Sequence, residues 1–578
     1  MPNPKPLLRE IEGWRRFLVR ELASCLEGEE LSSTVGGIID GVVFLRLAEL
    51  QGIEWKTSLE TLLQGPDAYG RLLQLLQQVE KRCGCAPAGP LQAFPGADEV
   101  VHSILRRVFR PHSPFDRELK PVVLGQLYER FLGVELIPGK RKTDSAARRV
   151  GGVYYTPQPV IENIVQQTLG PALMGKSPRD RRKLRIVDPS CGGGAFLLGA
   201  LDFLFVWSLE WYIGHDPEGW ASRKNPPLYK DGPIWRLTLK ERARLARDHI
   251  YGVDLDPGAI AVAKRALTLK VLEGAGLQRL PLNWSGNLKR GNALVEPDFY
   301  DGAEERNASL SSEQRDVVGA FDWAAEFGAG GFDVVIGNPP YANHSSRDSQ
   351  RAKYERGGQA AQLECFDLCR EYCVQRYSHC SAGHHDSYKW FVARALELTK
   401  RGGYLGFIIP NTWLNQSKYA DLKRCICDAV GDLTVIDLGG GVFPVVVPTC
   451  LLIARKGRGR TKRYADLKHE RDKWSALAAA PFEPMARDGS RAGHALARKF
   501  IVEWPASYKM KAWVTLREGL HIQRVQLASE PLAGSLPVID SKNMGRYSFD
   551  WQPQLFFANA PGPGAFRATA GPRLIVRK

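Results

Sequence analysis

The chain has no run of 18 apolar residues, and its opening Met1-Pro-Asn-Pro-Lys-Pro has no apolar segment. Neither a membrane span nor a secretory signal is expected, so the reading is a cytoplasmic protein with no membrane partner. Cysteine is sparse: 11 thiols, an odd number scattered over 578 residues, argue against a disulfide framework and for reduced thiols. Acidic residues are outnumbered, 63 against 79 Lys and Arg, and the formal net charge is +16. A surplus of that size attracts polyanions, nucleic acid first, without separating DNA from RNA. What is present suits a globular protein, with 44% hydrophobic and 25% charged residues. The length is too great for one core and predicts two or three domains.

The most informative stretch is Gly331-Phe-Asp-Val-Val-Ile-Gly337-Asn338-Pro339-Pro340-Tyr341. A β-branched run that stops at a glycine and two prolines reads as a buried parallel strand passing into a rigid loop, where open α/β sheets hold their ligands. The loop suits methylation of an exocyclic amine on a flat ring. That nitrogen is a poor nucleophile because its lone pair is delocalised, and two acceptors taking its N–H bonds would draw it toward sp³ geometry. The Asn338 side-chain oxygen and the Pro339 carbonyl are the candidate acceptors, Pro340 stiffens the loop, and Tyr341 offers a stacking face. A second Asn225-Pro226-Pro227 lacks the preceding strand and reads as a surface loop.

Upstream, Leu184-Arg-Ile-Val-Asp188-Pro189-Ser-Cys191-Gly192-Gly-Gly194 is a strand ending in an acid, followed by a glycine-rich turn and a helix from about Ala195. It is neither the dinucleotide Gly-x-Gly-x-x-Gly nor a phosphate loop. The carboxylate at the strand end suits a cationic part of a ligand, and the glycines allow close backbone approach. His249-Ile-Tyr-Gly-Val-Asp254-Leu255-Asp256-Pro257 is the next strand end, 66 residues beyond Asp188, so its crossover carries an insertion over about 207–247. Asp254 is placed for ribose hydroxyls and Leu255 for an adenine face, whereas Asp256 reads as the cap of a helix over 258–272. Gly291-Asn292-Ala293-Leu294 places an amide beside that adenine.

The remaining segments are less specific. Residues 1 to about 110 have helical spacing, and Asp40 with Glu54-Trp55-Lys56 only superficially spells a metal-dependent nuclease. Thr156-Pro157 reads as a helix start, with Thr156 as N-cap. Cys365, Cys369 and Cys373 share one helix face ahead of His379-Cys380 and His384-His385, but no Cys-x-x-Cys pair accompanies them, so a packed face is preferred and no metal is expected. Tyr388 opens an amphipathic helix and fits either a core position or the lining of a base pocket. Leu433–Leu438 and Thr449–Ala454 read as the last strands. From Arg455 a basic glycine-rich stretch leads into tryptophans interleaved with Lys and Arg, and the chain stops in what reads as an incoming strand, as if a domain were cut short.

Taken in order, Tyr154-Tyr155-Thr156-Pro157, Asp188 to Gly194, Gly252 to Pro257, Gly291 to Leu294, Gly337 to Tyr341 and the Tyr388-Lys-Trp-Phe helix resemble the gamma-type N6-adenine DNA methyltransferases. The likeness runs from about 115 to 455 and is greatest to the large single-chain enzymes of type IIG restriction-modification and of phage-defence systems such as BREX or DISARM. It implies a doubly wound, mostly parallel α/β sheet, Rossmann-like, with S-adenosylmethionine as cofactor and double-stranded DNA as partner, alongside other defence-system subunits. It implies that Tyr155 and Thr156 close over the methyl donor, that Asp188, Pro189, Cys191, Gly192, Asp254, Leu255, Asn292 and Ala293 bind it, and that Asn338 to Tyr341 with Tyr388 receive a flipped adenine. The family more often has Asp at the position of Asn292. The division expected is a helical domain over 1–110, a catalytic domain over 111–455 and a target-recognition domain over 456–578. Family nucleases usually sit N-terminally, and the helical N-terminus here makes cleavage unexpected. Two other readings use the same residues: a methyltransferase for ribosomal RNA or a protein glutamine, and a non-catalytic DNA-binding subunit. No Pro-Cys dipeptide of the cytosine-C5 kind occurs.

Overall fold

The computed structural model describes residues 5–53, 57–83, 94–116, 119–131, 156–180, 184–274, 282–301, 309–342, 360–443, 447–457, 459, 461–470, 472–480, 482–485, 527–528, 537–539, 555–557 and 575–576. The chain forms two compact units, Met1–Gly489 and Ser490–Lys578.

The first unit opens with five helices: α1 (Lys5–Leu22), α2 (Gly28–Leu50), α3 (Ala68–Cys83), α4 (Ala97–Val108) and α5 (Val122–Phe131). Their apolar faces are continuous with one side of the sheet's core, Leu18, Val42, Leu72 and Leu124 packing in the same cluster as Val334 and Ile336. Asp40, on α2, pairs with Arg265 at 3.0 Å, which makes it part of this seam; Glu54 to Lys56 lie outside the described residues. Two helices, Glu30–Leu50 and Ala195–Ile213, are apolar and long enough to cross a membrane by composition. The first contributes Val35, Ile38, Val42 and Val43 to the core, as buried helices of that composition do.

Next come α6 (Gln158–Leu173), β1 (Ile186–Asp188), α7 (Ala195–Ile213), the hairpin β2–β3 (Leu228–Asp231, Ile234–Leu237), α8 (Leu239–His249), β4 (Ile250–Asp254), α9 (Pro257–Leu272) and β5 (Leu288–Arg290). β6 (Phe332–Gly337), α10 (Ala360–Arg376), α11 (Ser387–Leu398), β7 (Thr399–Pro410), α12 (Ala420–Ala429), β8 (Val430–Gly439), β9 (Thr449–Lys456), β10 (Lys462–Asp466) and β11 (Glu483–Pro484) complete the unit. The hairpin and α8 form the expected insertion.

Among the described residues the main sheet has nine strands in the order β11-β10-β8-β9-β7-β6-β1-β4-β5. β5, β4, β1, β6 and β7 are mutually parallel, and β9 runs antiparallel between β7 and β8. This is the doubly wound, mostly parallel α/β sheet expected. The β-branched runs explain it: Val334 and Ile336 pack on one face and Val335 on the other, so both faces of the strand are buried. The order in which strands are added reverses between β1 and β6, β4 and β5 lying on one side and β6 and β7 on the other, and Ile186 and Val187 register with Val334 and Val335. Open α/β sheets hold ligands outside the carboxyl ends of the strands at such a switch point. The sheet continues past residue 455, β10 adding parallel to β8 and β11 antiparallel to β10. In the second unit four short strands, Leu527–Ala528, Pro537–Ile539, Leu555–Phe557 and Ile575–Val576, form a separate sheet.

Candidate active site

Asp188 ends β1, buried at 2% exposure, and its Oδ1 accepts from the Ser190 amide at 3.0 Å. A Cβ built on Gly337 would lie 2.6 Å from that same oxygen, so only glycine lets the tips of β1 and β6 close together. Asn338 follows at once. Its Nδ2 donates to Thr156 Oγ1 at 3.1 Å, which turns the Oδ1 end of the amide the other way. This corrects the expectation for Thr156. It does not cap α6, whose N-cap is Pro157 with no side-chain bond; its hydroxyl reaches 182 residues along the chain to orient the amide. Tyr155 lies outside the described residues.

The loop after Asn338 is clamped. Ser387, first residue of α11, donates its hydroxyl to the Pro340 carbonyl and its amide to Ala342 O at 2.9 Å. Pro339 is buried, and Tyr341 is half-buried with its hydroxyl on Ile408 O at 2.9 Å. Burial pushes the Tyr341 phenol well above its ordinary range, so the ring contributes a surface and not a proton. Two further rings meet it edge to face, Tyr388 at 6.4 Å and Phe443 at 6.3 Å. Tyr388 is thus both a core residue, 1% exposed, and a wall beside Tyr341. Sequence reading missed Phe443; the signal was an aromatic placed just beyond the end of β8.

The glycine-rich turn folds against α5 as well as the sheet. Gly194 N returns to Cys191 O at 2.8 Å, and Gly192 and Gly194 have φ of 50° and 84°, where side chains are strained. Gly193 meets Gly125 of α5 so closely that a Cβ on it would lie 2.4 Å from the Gly125 Cα. Pro189 and Cys191 are buried beneath the turn. Asp254, at the end of β4, accepts from Gly192 N through Oδ2 and from Asp256 N through Oδ1, each at 2.9 Å. Asp256 caps α9 through Gly258 N, as expected, and also accepts from Tyr128 of α5 at 2.5 Å. Leu255 is exposed at 43%. Asn292 is already engaged, its Oδ1 accepting from Leu294 N and its Nδ2 donating to Val318 O, both at 3.2 Å. Ala293 is buried beside it, with its carbonyl on the Trp323 indole. Asp188 and Asn338 thus stand at the adjoining tips of β1 and β6, and Asp254 stands at the tip of β4, bound to the same glycine-rich turn.

Burial pushes Asp188 up to about 8, against the Ser190 amide that lowers it and with the Asp254 charge that raises it further. Burial also lifts Asp254 to about 6, opposed by the amides of Asp256 and Gly192. Among the described residues neither acid makes an ion pair, and the Ser190 hydroxyl is sealed from solvent with no partner. Such a site suits a cationic ligand rich in N–H and O–H donors. A carboxyl whose folded pKa exceeds its unfolded value of about 3.9 adds stability below that value, and this is lost as pH rises through the folded pKa. The ligand-free protein should therefore melt at falling temperature from pH 5 to 9. Asp188→Asn should flatten the fall, and a melting temperature that does not change with pH would rule out the ionisation of these acids as its cause.

The buried thiols are explained by packing: Cys365, Cys373 and Cys380 sit in the apolar core, with Cys365 Sγ on Gln314 O and Cys380 Sγ on Lys389 O. Among the described residues no three His, Cys, Asp or Glu gather as a metal site.

Residues 248–443 match the family model described as Eco57I restriction-modification methylase. That stretch, about a third of the chain, is similar to this family. Its curated relatives include the type II restriction enzyme and methyltransferase RM.Eco57I of Escherichia coli, 23% identical over 78% of this chain and 43% of the relative. Another is the adenine-specific methyltransferase PglX of Streptomyces coelicolor, 26% identical over 55% of this chain and 24% of the relative. The chain spans less than half the length of these relatives. Among solved structures, the type IIL restriction-modification enzyme MmeI in complex with DNA superposes with a TM-score of 0.46 at 15% identity, over 85% of this chain and 62% of that one. The methylase domain as matched takes in Asp254, Asn338, Tyr341, Tyr388 and Phe443, while Thr156 and Asp188 precede it.

Proposed function

We propose that the protein is an S-adenosylmethionine-dependent DNA adenine N6-methyltransferase of restriction-modification or phage defence, working in the cytoplasm on double-stranded DNA alongside other defence-system subunits. The observation that carries the reading is the position of Asn338 at the switch point of the sheet, directly after the Gly337 that abuts Asp188, with its amide oriented by Thr156. When bound, S-adenosylmethionine supplies an electrophilic methyl on a sulfonium. Asp188 and Asp254 take its amino group and ribose, Cys191 and Gly192 line the turn beneath it, and Leu255, Asn292 and Ala293 border its adenine. Because Asn292 already accepts one hydrogen bond, it has a single lone pair left for the adenine amino group.

The target adenine leaves the duplex at a cost of a few kcal/mol. It enters beside Tyr341, with Tyr388 and Phe443 holding that ring edge-on from two sides. Its amino group donates to Asn338 Oδ1 and to the Pro339 carbonyl, the Pro340 carbonyl being held by Ser387. Those two acceptors would draw the nitrogen toward sp³ and hold its lone pair toward the sulfonium methyl; in transfer the C–S bond would break as the N–C bond forms, S-adenosylhomocysteine would leave, and the surplus N–H proton would pass to solvent, with no covalent intermediate on the protein. The parts assigned are a helical support over 1–110, the catalytic domain over 111–455 and a target-recognition domain over 456–578, of which the first strands, β10 and β11, extend the catalytic sheet. Labelled methyl donor offered with DNA, RNA and release-factor-like protein tests this: label on adenine N6 of DNA supports it, and label on RNA or protein alone would move the assignment to the other users of this loop. Absence of donor binding would leave the DNA-binding subunit.

A further inference from the structure

We propose that Glu129, on α5, is a cofactor-binding residue that accepts a hydrogen bond from the ribose diol of the methyl donor, sharing that diol with Asp254. The inference rests on the methyl-donor reading of the crevice and adds a wall to it.

α5 is built into the crevice. Gly125 abuts Gly193 backbone to backbone, and Tyr128 is fixed to Asp256, so the helix cannot rotate about its axis without breaking both contacts. In that register Glu129 lies over the glycine-rich turn, its Oε1 3.6 Å from where a Cβ on Gly192 would stand. The amide of the same Gly192 is held by Asp254 Oδ2 at 2.9 Å, so both carboxyls stand at one residue. Among the described residues Glu129 Oε2 is sealed from solvent and has no hydrogen-bond partner, and one turn earlier the Gln126 Oε1 is in the same condition. Buried polar atoms are nearly always satisfied, and a carboxyl left without a donor at a ligand crevice marks a place the ligand fills. Burial together with the Asp254 charge pushes the Glu129 carboxyl up to about 8, as suits an acid with no cation beside it.

The ligand group follows from the neighbour. Both Asp254 oxygens already accept a backbone amide, leaving one lone pair on each. A vicinal diol presents two O–H donors a bond apart, and two carboxyls standing at one residue can take one each.

The test is calorimetric binding of S-adenosylmethionine and S-adenosylhomocysteine, with the 2′-deoxy and 3′-deoxy forms of the latter, to the full chain and its Glu129→Ala and Glu129→Gln variants. Glu129→Ala should weaken both natural ligands about tenfold, the worth of one hydrogen bond to a buried carboxyl. Glu129→Gln, which keeps an acceptor oxygen, should recover most of that. The deoxy form lacking the hydroxyl that Glu129 takes should bind wild type and Glu129→Ala alike. Melting of the ligand-free variants should be unchanged or higher, since an unsatisfied buried acid has been removed. Equal losses for every ligand, or no loss, would overturn the proposal. Failure of the wild type to bind either natural ligand would instead overturn the methyl-donor reading itself.

Discussion

Replacing Asn338 by alanine is expected to lower methyl transfer to DNA by on the order of a hundred- to a thousandfold while leaving the affinity for S-adenosylmethionine nearly unchanged. In the proposed mechanism the side-chain oxygen faces the nucleophile and not the donor, and its work would be to hold an amino nitrogen whose lone pair must leave the ring only as the methyl moves. An interaction made chiefly in the transition state appears in kcat and not in ligand binding. Thr156→Val should act in the same direction with a smaller effect, about tenfold, because it frees the amide rotor that the 3.1 Å bond holds without removing the acceptor. Asn338→Asp discriminates further. It keeps an acceptor oxygen but loses the donor to Thr156 and brings a negative charge toward Asp188, so it should not rescue. Tritium-methyl transfer measured beside calorimetric donor binding checks all three. Full activity in Asn338→Ala would remove the loop from the mechanism.

The parts of this site that could be read in the sequence are those in which a strand ends locally. Val334 to Ile336 followed by glycine and prolines, Asp188 before its glycines and Asp254 before Asp256-Pro257 each declare a strand, its end and its loop within a dozen residues. The cap by Asp256 was legible for the same reason, since the Gly258 amide that donates to it lies two residues away. Contacts closed across the fold were not legible. Thr156 has the residues of a cap and spends its hydroxyl on Asn338, because the α6 N-terminus is brought over the β6 tip only once the sheet is assembled. Phe443 meets Tyr341 across a strand order no local pattern encodes. Glu129 is four helical positions past a glycine whose closeness to Gly193 exists only in the folded chain. The thiols of 365 to 373 were rightly placed on one helix, and it is the core that decides what that face meets. The basic stretch after 455, with its Lys462 and Arg463, gave no apolar signal and yet supplies the added strand β10.

The same clamp that positions the catalytic loop rests on a buried charge, and the second large effect lies there. Lys389 of α11 is wholly buried, its Nζ 3.0 Å from Asp421 Oδ2 and 2.8 Å from the Ala382 carbonyl. Two opposing terms decide what this pair is worth. Desolvating both ions nearly cancels their attraction, so the intact pair adds little net stability, but removing one partner strands the other in the interior. Lys389→Met is therefore expected to lower the unfolding free energy by about 3–5 kcal/mol, and the double variant Lys389→Met/Asp421→Leu to recover most of it. Because Ser387, two residues earlier on the same helix, holds the Pro340 carbonyl, transfer activity should fall in the single variant and return with stability in the double. Urea unfolding at constant m-value, paired with methyl transfer, measures both. If the double variant were as unstable as the single, the loss would lie in repacking around α11 and not in a stranded carboxylate. If stability returned without activity, the charge itself, and not only the seat of the helix, would be acting on the loop.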